Sequence, residues 1–252
     1  MFFAKNLIDI DHCFFSKLGG TSSSYYSTLN CGKGSKDNEA KIKKNYKIIS
    51  KYFDLKVKNI QTLYQSHSNK VLTITNKRVS NSSLCHDGIV TREKNIILGI
   101  LTADCAPILF YDPLNRIIGA CHAGWKGSLN GILENTINAM KNLGAKSNSI
   151  KCAIGPCISQ DSYQVSLDFY LQFILENPSN KHFFESEIKK DKFRFSLKKY
   201  IKHKLTNSGI QDISSIPIDT FKQDHICFSY RKSIKKKEND YGRMISTIVI
   251  KD

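Results

Sequence analysis

The sequence predicts a single α/β domain in which short buried strands alternate with amphipathic helices. Three apolar runs, residues 96–101, 108–111 and 117–121, are bounded by Asp, Pro, Asn or Gly, as buried strands usually are. Apolar residues then recur at helical spacing over residues 129–140 and stop before Gly144, which suits a carboxyl-terminal cap. The 252 residues are 40% hydrophobic and contain no repeat or Pro/Ser-rich linker, so one domain covering residues 1–252 is the simplest organisation.

The amino-terminal third predicts a strand, a helix and a second strand. Residues 12–16 form the first strand, and Asp37 or Asn38 can cap a helix that runs to about residue 53. A polar turn carrying Gln65, Ser66 and His67 precedes an alternating strand that begins at Val71. His67 lies among small polar residues, so we expect it in a loop and not in the core.

The carboxyl-terminal half continues the same alternation of strands and helices. Residues 177–194 are polar and charged, and we expect them to be irregular. The lysine run 235–237 is expected to be a solvated loop. The predicted strands are 151–156, 213–218, 226–230 and 245–250, and the predicted helices are 167–176 and 197–205, the second capped by Ser196 and ending near Gly209.

Composition and charge exclude several classes of protein. The net charge is +16, but the lysines are spread along the chain without interleaved aromatic residues, so we expect no nucleic-acid partner. A basic surface would still attract anionic substrates such as phosphate. No apolar run approaches the ~18 residues of a membrane span, and the first residues lack a basic secretion signal. The eight dispersed cysteines are therefore expected to be free thiols in a reducing cytoplasm.

Reactive side chains stand at the ends of the three central strands. Cys and His are ligands that zinc prefers, and His67, Cys105 and His122 would supply three ligands with one position left open. Cys121 precedes His122 on a strand, so its side chain should face the opposite side, towards the core. From the residues alone, a catalytic pair of Cys105 with a histidine, or a buried structural thiol, remain as alternatives.

A second cluster, Cys85-His86-Asp87, competes with the first as a metal site. Asp followed by Gly88 is typical of a turn, and an apolar strand from Ile89 follows directly. We therefore interpret Asp87 as a turn residue.

Several longer motifs resemble one family. The segments QSHSNKV, DGIVT, LTADCAPILFYD, HAGWKGSLNGI, IGPCISQDSYQV and FSYRK with a later GRM are similar to the laccase-domain, or multicopper polyphenol oxidase, family. Members of that family are understood as purine nucleoside phosphorylases with additional adenosine deaminase activity. The resemblance implies a cytoplasmic enzyme with a layered α-β-β-α sandwich of mixed sheets. It also implies a metal site, with Zn²⁺ as the expected ion, on His67, Cys105 and His122.

The resemblance also suggests roles for further residues. Lys17 and Arg231 are candidates for binding phosphate, although many relatives have arginine where Lys17 stands, and lysine lacks the bidentate fork. Asn30 or Gln65 could bind sugar hydroxyl groups. Asp104, beside the predicted thiolate ligand, is either a proton carrier or a residue that orients the site.

The expected partners are small molecules, namely purine nucleosides and phosphate, and the expected assembly is a monomer or weak homodimer with no membrane partner. The sequence does not rank adenosine, inosine, guanosine and methylthioadenosine as substrates. Two other functions stay open: copper-dependent oxidation of phenols and editing of cell-wall peptidoglycan. One His-Cys-His set has too few ligands for several coppers, although copper can enter zinc sites because of its high affinity.

Overall fold

A computed structural model describes residues 1–75, 85–187 and 191–251. No helix in these ranges is both long enough and apolar enough to cross a membrane. The helices are α1 (Glu39–Tyr52), α2 (Trp125–Leu129), α3 (Ile132–Asn142), α4 (Leu167–Glu176), α5 (Leu197–Asn207) and α6 (Tyr230–Lys235). The strands are β1 (Asp11–Phe14), β2 (Ile60–Thr62), β3 (Val71–Ile74), β4 (Gly88–Thr91), β5 (Ile97–Thr102), β6 (Ala106–Asp112), β7 (Ile117–Ala123), β8 (Lys151–Ile154), β9 (Gln164–Ser166), β10 (Phe184–Ser186), β11 (Lys192–Phe195), β12 (Asp212–Ser215) and β13 (Met244–Val249).

The strands form two packed mixed sheets and a small third sheet. The first sheet has the order β1-β13-β5-β2, and the second has the order β12-β8-β6-β7-β4-β3. Each contains both parallel and antiparallel pairs, such as β2 with β5 and β13 with β5 in the first sheet. The small antiparallel sheet β10-β11-β9 stands apart from both.

Three apolar clusters show that the two large sheets are packed face to face between layers of helices. Alternate residues of β5, Leu98 and Ile100, meet Leu109 of β6 in the cluster between the sheets. The outer face of the first sheet packs on Ile42 and Ile49 of α1. The outer face of the second sheet is covered by α3 and α5. The predicted α/β class and the layered sandwich are confirmed.

The helix predicted after the central strands is divided in two. Gly131 adopts a left-handed conformation with φ of 93°, between α2 and α3. Glycine takes this conformation without the steric penalty that a β-carbon brings. The split lets α2 begin at Trp125, directly after β7, while the longer α3 packs on the outer face of the second sheet.

Two predictions about the carboxyl-terminal half are wrong, and a third is correct only in part. Residues 177–194 are not irregular, because the 3-10 helix Pro178–Phe183 is followed by β10 and β11, with residues 188–190 outside the described ranges. Residues 226–230 are not a strand. They lead into α6, whose first turn is capped by Ser229 through a hydrogen bond from the Lys232 amide at 3.1 Å. The lysine run is exposed, as predicted, but it is not wholly a loop, because Lys235 is the last residue of α6; Lys236 pairs with Asp224 at 2.8 Å.

Candidate functional site

Three of the predicted site residues converge at one end of the second sheet. A nitrogen of His67, the sulfur of Cys105 and a nitrogen of His122 all lie within 4.8 Å of one another. The two imidazole rings meet edge to face with their centroids 4.7 Å apart. The chain therefore brings together side chains that are up to 55 residues apart in the sequence.

The hairpin of β6 and β7 positions two of these side chains. Cys105 directly precedes β6, and His122 pairs with Pro107 across the antiparallel ladder. Cys105 and His122 are therefore at the same end of neighbouring strands. Cys121 is fully buried in the core on the other face, as the alternation of side chains along a strand requires.

Asp87 fixes both histidines of the cluster. Its carboxylate is fully buried and accepts a hydrogen bond from Nδ1 of His122 at 2.7 Å. It also accepts backbone N–H bonds from His67 at 3.1 Å and Ser68 at 2.7 Å, which hold the loop in place. A carboxylate on one ring nitrogen selects the tautomer and leaves Nε2 of His122 free for another partner.

The charges of Asp87 and His122 stabilise each other. Burial alone would raise the pKa of Asp87, but the hydrogen bonds from His122 and Ser68 outweigh it and lower the pKa to about 2. Burial would lower the pKa of His122, but Cys105 and Asp87 together raise it to about 9. Burial, followed by the neighbouring His122, lowers the pKa of His67. Asp87 is thus an anion at neutral pH.

The donor atoms of the cluster could hold a metal ion, and the chain leaves room for them. Two imidazoles and one thiolate form a donor set typical of a zinc site with an open position. Gly124 lies against the cluster, and a β-carbon built there would be 2.7 Å from Nδ1 of His67 and 3.0 Å from Sγ of Cys105. A side chain at residue 124 would therefore displace the donor atoms, so glycine is needed for the three side chains to meet.

A cavity of about 1050 Å³ opens beside the cluster. Its wall includes His67, Cys105 and His122 together with the aromatic residues Trp125 and Phe169, whose rings are 4.7 Å apart. Large pockets with an apolar wall and a few polar groups are typical of small-molecule sites.

Three cationic residues line the same cavity. Lys33, Arg231 and Arg243 are all part of its wall, and within the described ranges none of them pairs with a carboxylate. Nη1 of Arg231 donates to the Gln164 carbonyl at 2.8 Å. The guanidinium of Arg243 lies 4.2 Å from the ring centroid of Tyr241. The cavity therefore combines a donor cluster for a metal with positive charge for an anion.

The Asp104 carboxylate is engaged by groups away from the three donor atoms. It is buried and accepts hydrogen bonds from Thr220 at 2.6 Å, Ser229 at 2.9 Å and the Arg231 amide at 2.7 Å. Burial raises the pKa of Asp104 against the effect of these hydrogen bonds. With its oxygens committed in this way, Asp104 ties the residue before Cys105 to the start of α6. This geometry favours an orienting role over the transfer of protons.

The other predicted substrate-binding residues have structural partners. Lys17 is not part of the cavity wall; its ammonium donates to the Asp224 carbonyl, and burial lowers its pKa. The prediction that Lys17 binds phosphate does not fit this placement. Asn30 is fully buried and holds the Arg243 amide at 2.9 Å, while Gln65 lines the cavity but binds both backbone groups of Leu101. Asn30 is thus outside the cavity wall, while Gln65 lines it with both amide atoms bonded to the backbone of Leu101.

Two residues of the site were missed from the sequence. The sequence predicts only a turn at Asp87, although Asp87 precedes a strand just as Asp104 and Cys105 do. Arg243 lies in the GRM segment and carries a side chain that lines the cavity. Its contact with Asn30 joins residues 213 positions apart, which periodicity cannot show.

Comparisons with known proteins agree on one family. The family model described as multi-copper polyphenol oxidoreductase laccase matches residues 11–251. The chain is 36% identical over 214 residues to purine nucleoside phosphorylase RC0672 of Rickettsia conorii, covering 85% of this chain and 87% of that protein. It is 30% identical over 249 residues to purine nucleoside phosphorylase YlmD of Bacillus subtilis, covering 95% of this chain and 88% of the relative.

A solved structure is similar over nearly the whole chain. The crystal structure of the hypothetical protein YfiH of Bacillus licheniformis superimposes with a TM-score of 0.90 at 27% identity. The match covers 98% of this chain and 95% of that one. The layered arrangement of sheets and helices is therefore shared with that protein.

Proposed function

The chain belongs to the multi-copper polyphenol oxidoreductase laccase family, and from that premise we propose that it is a zinc-dependent purine nucleoside phosphorylase that also deaminates adenosine. The substrates would be adenosine, inosine, guanosine or methylthioadenosine, cleaved by phosphate to the free base and a sugar 1-phosphate. The names of the relatives from Rickettsia conorii and Bacillus subtilis support the phosphorylase part. Deamination and zinc rest on the family resemblance and on the donor set.

One observation carries the proposal: the His-Cys-His cluster and two arginines without carboxylate partners, Arg231 and Arg243, line the same cavity of the described chain. Phosphorolysis needs a bound phosphate beside the sugar of a nucleoside. A phosphate oxygen forms a bond to the anomeric carbon while the bond from that carbon to the purine nitrogen breaks, and the purine leaves with the electron pair. An anion site beside an uncharged, partly apolar region suits these two substrates.

The donor cluster would hold the metal through His67, Cys105 and His122. A zinc ion bound there would supply Lewis acidity for the exchange of the 6-amino group of adenosine with water. The contribution of the chain is to orient these ligands. Asp87 holds His122 in one tautomer and pins the loop of His67, and Gly124 leaves room for the donor atoms.

The two arginines suit the phosphate. Guanidinium groups bind phosphate oxygens through two parallel N–H donors and keep their charge at all working pH values. Asp104 accepts from the Arg231 amide at 2.7 Å, and Asn30 accepts from the Arg243 amide at 2.9 Å. Each arginine is thus attached to the scaffold at its backbone, which reduces the entropy lost when phosphate binds. Arg243 replaces Lys17 as the proposed partner of Arg231.

The aromatic wall suits the purine. Trp125 and Phe169 lie against each other on the side of the cavity formed by α2 and α4. A flat heteroaromatic base gains contact area on such a surface. The purine would therefore lie between this wall and the donor cluster, with its sugar directed towards the arginines.

Metal analysis tests the proposal most directly. Protein produced without added copper should contain about one zinc per chain, since the described residues contain one His-Cys-His cluster. The same protein should release free base from a nucleoside only when phosphate is present. Both are measured by elemental analysis and by chromatography of the products. Copper-dependent oxidation of phenols without any nucleoside cleavage would contradict the proposal and support the alternative function.

Arg231→Ala should raise the KM for phosphate by roughly 10- to 100-fold, because a hydrogen bond to a charged group contributes about 1.5–3 kcal/mol. The KM for the nucleoside should change little. Steady-state kinetics with each substrate varied in turn measures both values.

Lys237→Ser is the matched control, because it removes one positive charge from an exposed residue close to Arg231 in the sequence. It should leave both KM values near those of the wild type. Equal losses for phosphate and nucleoside in Arg231→Ala would instead show that Arg231 is structural.

The alternative functions have less support. Oxidation by several coppers needs more ligands than one His-Cys-His set supplies, and the described residues hold no second cluster of three potential ligands. No feature of the described cavity specifically supports an editing role on peptidoglycan.

A further inference from the structure

Thr102 has a buried hydroxyl without a partner at the wall of the cavity. The residue is 3% exposed, and its Oγ1 has no hydrogen-bond partner among the described residues. It is nevertheless part of the cavity wall. Buried polar groups without a partner destabilise a fold, so each of them calls for an explanation, and at a cavity wall a bound ligand is one.

The position of Thr102 on its strand places it at the edge of the apolar layer between the two large sheets. Leu98 and Ile100 of β5 point into the cluster between the two large sheets, and Thr102 is the next residue on that face. Here the apolar layer between the sheets ends and the cavity begins. Thr102 therefore brings an unpartnered hydroxyl to the border between that layer and the cavity.

The other serine, threonine and amide side chains of the wall already have hydrogen-bond partners within the protein. Among these side chains, Thr102 is the one that has no hydrogen-bond partner in the described ranges. The engaged residues and their partners are Thr62 with Lys33, Gln65 with Leu101, Gln164 with Glu187 and Ser166 with Phe169.

Thr102 is also a near neighbour, in the chain or across the sheet, of residues from both the donor cluster and the arginines. Cys105 of the donor cluster follows three residues later in the chain. Across the ladder Thr102 pairs with Met244, the neighbour of Arg243. If the purine lies by the donor cluster and the phosphate by the arginines, the sugar that joins them would lie near this part of the wall.

We propose that the Thr102 hydroxyl binds a hydroxyl group of the sugar ring and makes the enzyme select ribonucleosides over deoxyribonucleosides. A threonine hydroxyl both donates and accepts, which matches a sugar hydroxyl, whereas Arg231 and Arg243 already offer the donors that phosphate needs. A site built to bond a substrate hydroxyl discriminates strongly against an analogue that lacks it, because the protein group is then left unpaired. The assignment rests on the proposed phosphorylase function.

The test compares adenosine with 2′-deoxyadenosine and 3′-deoxyadenosine at saturating phosphate. The wild type should prefer adenosine over at least one of the two analogues by about tenfold or more in kcat/KM. Thr102→Val should reduce that preference by about tenfold, mainly through slower use of adenosine. Thr102→Ser keeps the hydroxyl and should retain the preference. The analogue that loses its disadvantage identifies the sugar hydroxyl.

Thr102→Val should fold as well as the wild type or better, because it removes an unpartnered buried hydroxyl. Thr247→Val is the matched control: it lies on the adjacent strand β13, is fully buried, and its hydroxyl donates to the Cys13 carbonyl at 3.2 Å. The control should lower the melting temperature and leave the preference unchanged.

A preference that survives in Thr102→Val, or a rise in the KM for phosphate instead, would overturn the assignment while leaving the phosphorylase function intact. If wild-type protein cleaves none of the three nucleosides, their binding is measured by calorimetry. A weaker binding of the deoxy analogue that disappears in Thr102→Val then supports Thr102. The absence of any nucleoside binding overturns both the function and the assignment.

Discussion

Cys105→Ser should abolish metal binding and both activities while the protein stays folded. The serine hydroxyl is neutral at pH 7 and is a poor ligand where a thiolate stood, so metal affinity should fall steeply. Cys105 is only partly buried and its side chain faces the cavity, so the core packing is not disturbed. Elemental analysis, circular dichroism and assays of deamination and phosphorolysis measure the outcome.

The loss of phosphorolysis is the more informative part of this prediction. Phosphate is itself the nucleophile, so this reaction has no obvious need for a metal. In the proposed function, however, both reactions would place the purine of one nucleoside in the same cavity of about 1050 Å³, beside His67 and His122. The metal site would therefore position the purine for both.

Cys85→Ser is the matched control, since Cys85 is an exposed free thiol that is not part of the cavity wall. It should retain the metal and both activities. If Cys105→Ser loses zinc but keeps phosphorolysis near the wild-type rate, the shared site is wrong and cleavage occurs elsewhere on the chain.

The central part of the fold follows from local patterns in the sequence. The runs that became β5, β6 and β7 are short, apolar and bounded by turn residues, and they were predicted within two residues. Asn38 was one of two predicted caps of α1, and its side chain accepts from the amides of Ala40 and Lys41. Where packing follows the local pattern, the sequence alone identifies the element.

The failures arise where distant contacts decide the local structure. Residues 226–230 have the β-branched and aromatic composition of a strand. In the structure, Ser229 caps α6, and Asp104 accepts a hydrogen bond from the Arg231 amide at the start of that helix, 127 residues away in sequence. Tertiary contacts of this kind override propensity over a segment of six residues.

Distant contacts also explain why Asp87 was not recognised as a site residue from the sequence. The pairing of β4 with β7 brings Gly88 opposite Cys121, and this register carries Asp87 to His122. No periodicity within either segment shows that pairing. The ligand types themselves could be recognised because Cys and His are uncommon, whereas an aspartate before a glycine is common in ordinary turns.

Asp87→Asn should lower the affinity for the metal by roughly 10- to 100-fold, as losses of carboxylate partners of metal-binding histidines do. The amide keeps one oxygen to accept from His122 Nδ1. Its NH₂ group, however, would face the N–H and hydroxyl donors of Ser68, which now bond to the carboxylate at 2.7 Å each. The loop that carries His67 should therefore loosen, and the free energy of unfolding should fall by about 1–3 kcal/mol. Competition with a chelator gives the affinity, and denaturant titration gives the stability.

Asp112→Asn separates metal binding from stability in the same experiment. Asp112 is also fully buried, lies at the opposite end of β6 from the cluster, and accepts from Leu114 and Asn115 in the turn that follows. It should lose stability to a similar degree and retain the wild-type metal affinity. If the two variants lose metal equally, the effect of Asp87 comes from general loosening of the sheet. A selective loss in Asp87→Asn means that this carboxylate orients His67 and His122, because the two variants make the same chemical change at equally buried positions.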